Sequence, residues 1–155
     1  MTSATHSSVV VRILKGDELS ALISGESNLQ KDIDNLWPPK GIITCGPENR
    51  FVVIFETETQ EHIIALAKII EIQTGKGYII GSVHDVVVDK DFQGKRLGLF
   101  LMTSLIRYCK DEGFHKLELT CRPARIAANN LYQKVGFTML ASACDGGTNY
   151  YRYTF

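Results

Sequence analysis

The clearest hydrophobic pattern in the chain is a valine-rich segment followed by a helical repeat. Four valines lie within residues 83–88, and such a β-branched run predicts a strand. After a polar turn, apolar residues recur at spacings of three and four, which indicates a helix with one buried face. The residues of this face are Leu97, Phe100, Leu101, Leu105 and Tyr108. The segment therefore predicts a strand, a turn and an amphipathic helix that opens within residues 93–98.

Strand and helix patterns also fill the rest of the chain. Three strands in succession, followed by strand-helix-strand-helix, are typical of a mixed α/β fold. The predicted strands are residues 9–14, 51–57, 62–73, 78–88, 116–121, 137–141 and 149–155. The predicted helices follow Asp17, cover residues 26–36, extend from the turn at 93–98 to about residue 111, and open at Pro123. We expect one domain over residues 1–155, with residues 1–7 as a disordered tail.

The composition of the chain argues against several classes of protein. Seventeen basic and seventeen acidic residues leave the 155-residue chain formally neutral, which argues against a nucleic-acid or membrane-surface partner. No apolar run approaches the roughly 20 residues of a spanning helix, and the polar residues 1–8 lack a signal-peptide core. Neither cysteines nor histidines show metal-ligand spacing, so we expect no metal. The cysteines are expected to be reduced thiols of a cytoplasmic protein: Cys45, Cys109, Cys121 and Cys144.

The turn at residues 93–98 has the features of an anion site. The first amides of a helix lack intrahelical partners, and their positive potential suits a phosphate. Gly94 and Gly98 would let an anion approach the backbone, because neither carries a Cβ atom. The Walker A pattern is missing, since Leu99 and Phe100 follow Gly98, and the G-x-G-x-x-G pattern is missing as well. The sequence predicts a pyrophosphate-binding turn, with a plain strand-turn-helix connection as the alternative.

Two segments resemble the motifs of the GNAT superfamily of N-acetyltransferases. Residues 93–98 resemble its Q/R-x-x-G-x-G/A turn, with Arg96 in place of the first glycine. Residues 125–137 resemble its N-x-x-A-x-x-L-Y-x-x-x-G-F motif, with Arg125 in place of the asparagine. The matching residues in the second motif are Ala128, Leu131, Tyr132, Gly136 and Phe137. Together with the flanking strands, the resemblance covers roughly residues 50–155.

The resemblance implies both a fold and a cofactor. The fold is a mostly antiparallel sheet of about seven strands, splayed between the fourth and fifth strands and flanked by about four helices. Acetyl-CoA is the implied co-substrate, with its pantetheine arm in the gap between those strands and its pyrophosphate on the turn. The implied cofactor-binding residues are Val86, Val87, Val88, Gln93, Gly94, Lys95, Arg96, Leu97, Gly98, Leu99, Arg125 and Asn129.

The resemblance also suggests catalytic roles. Tyr132 is the candidate acid, because a phenol with a pKa of about 10 can protonate a thiolate whose conjugate acid has a pKa of about 8.5; the alternative is a hydrogen bond that only positions the sulfur. His84 or Asp85 is the candidate base, and because adjacent strand residues alternate we expect one of them to face the cleft. A backbone N–H near Val86 or Val87 is the candidate oxyanion donor.

The implied function is acetyl transfer from acetyl-CoA to a primary amine of a small molecule or peptide. Asp85 corresponds to an aspartate of the aminosugar-phosphate branch, so an amino sugar phosphate is a second candidate acceptor. The sequence is also compatible with a non-catalytic acyl-CoA sensor and with an α/β domain that binds no cofactor. Trp37 is a candidate for the acceptor pocket or for the core, and residues 149–155 could pair two subunits as an exposed strand.

Overall fold

A computed structural model describes residues 9–25, 48–59, 62–142 and 147–155. Their seven strands form one sheet in the order β1-β2-β3-β4-β5-β7-β6. The strands are β1 Val10–Lys15, β2 Asn49–Phe55, β3 Ile63–Gln73, β4 Ile79–Val88, β5 Lys116–Cys121, β6 Thr138–Ala141 and β7 Asn149–Thr154. The helices are α1 Gly16–Gly25, α2 Leu97–Asp111 and α3 Ile126–Lys134, with a 3₁₀ turn at Lys90–Phe92. The predicted mixed α/β fold is confirmed.

Both faces of the sheet are packed, which explains the long apolar runs in β2 and β3. The α2 side chains Leu101 and Leu105 are fully buried against one face. On the opposite face, Leu19 of α1 packs with Phe51 and Val53 of β2. Alternate residues of the same strand therefore enter two different cores, so neither face needs polar residues along most of β2 and β3.

Strands β4 and β5 are parallel and share only a short contact. Ile80–Ser82 pairs with Lys116–Glu118, and no further pairing joins the two strands. Gly81 makes the close approach possible, since a Cβ atom there would lie 2.5 Å from Cδ2 of Leu117. After Ser82 the strands separate, as predicted, and the facing edge of β4 has no strand partner among the described residues.

One helix begins within the predicted range and another begins later than predicted. Helix α2 begins at Leu97, inside the predicted opening at residues 93–98; the preceding residues Gly94 and Arg96 have positive φ angles of 80° and 62° that no right-handed helix contains. Helix α3 begins at Ile126, because the backbone after Pro123 first closes a turn from the Arg125 amide to the Arg122 carbonyl. The predicted helix at residues 26–36, Trp37 and the predicted tail lie outside the described residues.

The terminal strand is not exposed at an edge. Strand β7 pairs with β5 on one side and with β6 on the other, so its backbone groups are already used. The prediction that residues 149–155 pair two subunits as a free strand is therefore wrong. Within the described part of the chain, the two edges of the sheet are β1 and β6.

Cys109 and Cys121 are buried free thiols, as predicted. Cys45 and Cys144 lie outside the described ranges. Across the described ranges, no three histidine, cysteine or acidic side chains are grouped so that they could hold a metal ion. The same ranges contain no helix long and apolar enough to cross a membrane.

Candidate active site

Strand β4 has a bulge where it leaves β5. Leu66 pairs with Val87 and Lys68 pairs with His84, so two steps along β3 correspond to three steps along β4. The extra residue is Asp85, whose φ angle is 54°. A bulge interrupts the alternation of side chains between the two faces. Both His84 and Asp85 line the same cavity, and which of the two side chains faces the cleft stays a prediction.

This central cavity has a volume of about 330 Å³ and lies in the gap between β4 and β5. It brings together both candidate bases, the candidate acid and one cation from the start of α3. The residues that line it are Val83, His84, Asp85, Val86, Val87, Leu119, Thr120, Arg125 and Tyr132. Proton donors and acceptors thus meet in one place although they come from three separate segments of the chain.

The Tyr132 ring is buried, with 4% of its surface exposed. Phe137 and Tyr151 hold the ring by edge contacts, with centroids at 6.1 and 6.0 Å. Burial raises the pKa of Tyr132 to about 12; Cys121 adds to the rise and the Arg125 guanidinium opposes it. Among the described residues none hydrogen-bonds the Tyr132 hydroxyl, so this group is available to a ligand in the cavity.

A second, longer cavity of about 680 Å³ continues from the first and is called the groove below. The two cavities share Val86, Val87, Arg125 and Tyr132. The groove has three cationic side chains, Arg96, Arg125 and Lys134, and no carboxylate among its described lining residues. Its other lining residues are Val88, Phe92, Gln93, Gly94, Leu97, Gly98, Leu99, Ile126, Ala127, Ala128 and Leu131. The charge and shape of the groove suit an extended ligand with an anionic end.

The N-terminus of α2 forms one end of the groove. Its N-cap residue, Arg96, makes no capping hydrogen bond, so the first amides of the helix are not satisfied by that side chain. Gln93 closes the preceding turn by donating from Nε2 to the Val88 carbonyl at 3.1 Å. Gly94 has open space beside its Cα atom. Leu97, Gly98 and Leu99 line the groove at the first turn of α2, where the N–H groups of a helix lack intrahelical acceptors and favour an anion.

Arg96 adopts the left-handed conformation at the position of the first glycine in the GNAT turn. Its φ and ψ angles are 62° and 20°, a region that glycine adopts freely and other residues adopt at a cost. Among the described residues, Asp85 and Arg96 are the two non-glycine residues with positive φ. The departure from the family motif therefore keeps the backbone shape and adds a cation to the groove.

Ten of the twelve sequence-predicted cofactor residues line the groove, and two do not. The Lys95 Nζ atom lies 5.1 Å from the centroid of the Phe92 ring. Asn129 is buried in α3 and directs its side chain into the protein. Its Nδ2 atom donates to the carbonyls of Arg122 and Arg125 at 2.9 and 2.8 Å. The structure therefore gives Asn129 a place in the packing of α3 rather than at the groove.

One residue of the site carried no signal in the sequence. Ser82 lies next to the cavity on β4, with its Oγ atom 2.7 Å from His84 Nε2. A serine in a strand has no motif of its own. Its spacing of two from His84 was the available clue, since residues i and i+2 share a face of a strand.

A sequence profile of the Acetyltransferase (GNAT) family matches residues 16–137. The chain therefore belongs to this family, and the resemblance read from the two motifs is confirmed.

Individual relatives agree with this assignment. Glucosamine 6-phosphate N-acetyltransferase of Candida albicans is 34% identical over 68 residues, which are 44% of this chain and 40% of that protein. The chain spans less than half the length of the curated relatives it matches.

Solved structures show the same fold. Glucosamine-6-phosphate N-acetyltransferase from Arabidopsis thaliana has a TM-score of 0.64 at 23% identity, covering 88% of this chain and 96% of that chain. PaiA N-acetyltransferase from Thermoplasma acidophilum, in complex with coenzyme A, has a TM-score of 0.63 at 14% identity, covering 96% and 99%. At these identities the likeness is one of fold.

Proposed function

We propose that this protein is an N-acetyltransferase that transfers the acetyl group of acetyl-CoA to a primary amine. One observation carries the proposal: a continuous path leads from the uncapped, cationic start of α2 to the free hydroxyl of Tyr132. The start of α2 suits the pyrophosphate of an acyl-CoA, and the Tyr132 end suits its thioester. Family membership and a coenzyme A complex of a protein with the same fold support this cofactor.

The chain would hold the cofactor mainly through its backbone. The Leu97, Gly98 and Leu99 amides and the Arg96 and Arg125 guanidiniums would bind the pyrophosphate. The pantetheine amides would pair with the unpartnered edge of β4 at Val86 and Val88, much as an added strand does. Acetyl-CoA thus supplies a thioester at the central cavity, beside Tyr132.

The reaction would then be a direct attack. The amine nitrogen bonds to the thioester carbonyl carbon, the carbonyl oxygen becomes an oxyanion, and the carbon–sulfur bond breaks to release the coenzyme A thiolate. A backbone N–H at Val86 or Val87 is the proposed oxyanion donor. His84 or Asp85 would take the proton that the amine loses.

The pKa of Tyr132 decides what this phenol does for the leaving thiolate. A phenol with a pKa of about 12 stays protonated at neutral pH and donates a hydrogen bond. Full proton transfer to a thiolate is unfavourable, because the conjugate acid of a thiolate ordinarily has a pKa of about 8.5 and the thiolate is therefore the weaker base. We therefore favour stabilisation of the thiolate by hydrogen bonding from Tyr132, with complete protonation following its departure from the site.

The test is thiol release when the protein is mixed with acetyl-CoA and a panel of amino sugars, polyamines, amino acids and peptides. Calorimetric binding of coenzyme A is measured in parallel. Amine-dependent thiol release with a stoichiometric acetylated product supports the proposal. Tight binding of coenzyme A without any release would instead identify an acyl-CoA sensor, and no binding at all would leave an α/β domain without cofactor.

A narrower proposal concerns the acceptor. The glucosamine 6-phosphate N-acetyltransferases among the relatives, together with Asp85 in the central cavity, favour an amino sugar phosphate. Turnover of glucosamine 6-phosphate at a kcat/KM well above that of glucosamine would support it. Equal values for the two sugars would contradict it and leave the general acetyltransferase proposal intact.

A further inference from the structure

His84 has a fixed partner outside the central cavity. The Ser82 Oγ and His84 Nε2 atoms lie 2.7 Å apart, within the range of a hydrogen bond. Both residues belong to the regular part of β4, before the bulge at Asp85, so their side chains share one face of the sheet. The contact is therefore part of the strand geometry and does not depend on a loop.

The contact determines which ring nitrogen can face the cavity. The two nitrogens of an imidazole lie on different edges of the ring, so a ring held at Nε2 by Ser82 turns Nδ1 away from that serine. Ser82 does not line the cavity, whereas His84 and the residues after it do. With the ring proton on Nε2, Nδ1 would be the nitrogen that accepts a proton from an amine in the cavity.

Charged groups surround this pair on every neighbouring strand. Lys68 of β3 is the register partner of His84, and Glu118 of β5 is the register partner of Ser82. Asp85, Arg125 and Tyr132 share the cavity with His84.

Glu118 is already engaged. Its Oε1 atom accepts from Arg152 at 3.1 Å and lies 3.6 Å from Lys116 Nζ. Partial burial raises the pKa of Glu118, but hydrogen bonds from Tyr150 and Arg152 and the positive charges of Lys116 and Arg152 together outweigh it and lower the pKa overall. Its carboxylate is thus held by β7, and Ser82 is the described side chain that hydrogen-bonds His84.

We propose that Ser82 is a positioning residue that holds the His84 imidazole with its proton on Nε2, so that Nδ1 acts as the base toward the amine. This inference rests on the proposed acetyltransferase function and selects His84 over Asp85 as the base. When Nδ1 takes the proton lost by the attacking amine, the ring becomes an imidazolium. Its Nε2–H then donates to Ser82 Oγ as a charge-assisted hydrogen bond, which stabilises the protonated ring.

The first experiment does not depend on activity. Long-range ¹H–¹⁵N spectra of the histidine side chains report the tautomer of each neutral ring, and His84→Gln assigns the His84 signals. We expect the Nε2–H tautomer for His84 in the wild-type protein and a mixture of tautomers in Ser82→Ala. The same tautomer ratio in both proteins would overturn the proposal, whether or not the protein acetylates any amine.

The second experiment measures kcat/KM for an accepted amine. Ser82→Ala should reduce kcat/KM about tenfold, the effect of one charge-assisted hydrogen bond. Ser82→Thr, which keeps the hydroxyl, should restore kcat/KM, whereas Ser104→Ala on α2, outside both cavities, should leave it unchanged.

The kinetic outcomes separate the two proposals. A lower rate in Ser82→Ala that Ser82→Thr does not restore would show a structural effect and would contradict the positioning role. Absence of turnover in the wild-type protein would remove the acetyltransferase proposal, and the tautomer measurement would still decide the role of Ser82.

Discussion

The Tyr151 hydroxyl donates a 2.6 Å hydrogen bond to the side-chain oxygen of Asn129. The same oxygen accepts a second bond, from Asn149 Nδ2 at 2.9 Å. Both donors lie on β7, whereas Asn129 lies on α3. The two hydrogen bonds therefore fix the helix that carries Tyr132 to β7.

Replacing Asn129 with alanine should destabilise the protein. The Tyr151 hydroxyl is buried and would lose this acceptor, so we expect the free energy of unfolding to fall by about 2–3 kcal/mol. Urea unfolding measures the loss, and Asn130→Ala, an exposed neighbour on the same helix, should change stability by less than about 0.5 kcal/mol. If Asn129→Ala instead kept full stability and lost coenzyme A affinity, the residue would be a cofactor ligand.

Tyr132→Phe tests the role of the phenol. We expect kcat to fall about 10²-fold or more while coenzyme A affinity stays within about twofold, because the hydroxyl acts on the leaving thiolate. Steady-state kinetics and calorimetry measure the two quantities. An unchanged kcat would remove Tyr132 from the mechanism. Since the pKa of Tyr132 is about 12, ionisation of this phenol should produce no loss of activity below about pH 10.

Arg96→Gly should have opposite effects on stability and on binding. Relief of the left-handed conformation should raise the free energy of unfolding by about 0.5–1 kcal/mol after the entropy of glycine is subtracted. Loss of the guanidinium should weaken coenzyme A binding. Arg96→Ala is the matched control, since it removes the charge and keeps the backbone strain. An equal rise in the free energy of unfolding for Arg96→Ala and Arg96→Gly would contradict the argument from backbone strain.

Gly81→Ala should weaken the contact between β4 and β5. The new Cβ atom would lie 2.5 Å from Leu117 Cδ2 and 3.0 Å from Phe114 Cε2, so side chains must shift. We expect a loss of about 1–3 kcal/mol in the free energy of unfolding, the usual cost of overpacking. Gly75→Ala has no atom within 4 Å of its Cβ and serves as the control. Equal denaturant midpoints for the two variants would show that the neighbouring side chains accommodate the new Cβ atom without cost, and would contradict this prediction.

The buried thiol of Cys109 should make stability decrease at alkaline pH. Burial raises the pKa of Cys109 from 9.0 to about 12, and Glu112 and Glu71 add to the rise. The contribution of the buried neutral thiol to the free energy of unfolding is fully present below pH 9. It is lost as the pH rises toward 12, because the thiol of the unfolded chain releases its proton first. The slope is up to about 1.4 kcal/mol per pH unit. Urea unfolding at several values between pH 8 and 10 should show a shallower decrease for Cys109→Ala, and parallel curves would contradict this.

Much of the fold was predictable because periodicity reports local structure directly. The valines of β4 and the spacing of Leu97, Leu101 and Leu105 in α2 identified their elements. The two motifs then located the groove and Tyr132, since glycine spacing and a helix N-terminus have the same consequences wherever they occur.

The remaining features depend on contacts between distant segments. The bulge at Asp85 is visible only in the register against β3, and no local pattern signals an extra residue in a strand. Asn129 and Tyr132 share one side of α3, and Asn129 was expected at the cofactor beside the candidate acid Tyr132, whereas β7 binds the asparagine. The clearance at Gly81 is likewise set by Leu117, which lies on a different strand.

The bulge separates what β4 does for packing from what it does for the cavity. Val83 and Val86 face the α2 core and Val87 faces the α1 core, an order that an uninterrupted strand cannot produce. A strand shortened by Asp85 would alternate regularly and still direct each of these valines to its present core. The extra residue is thus dispensable for filling the two cores, and what it adds is a second polar residue among those that line the gap. Insertion of a single residue into an ordinary strand would be one route by which a strand gains a polar residue at a site while its apolar residues keep the faces of the sheet on which they pack.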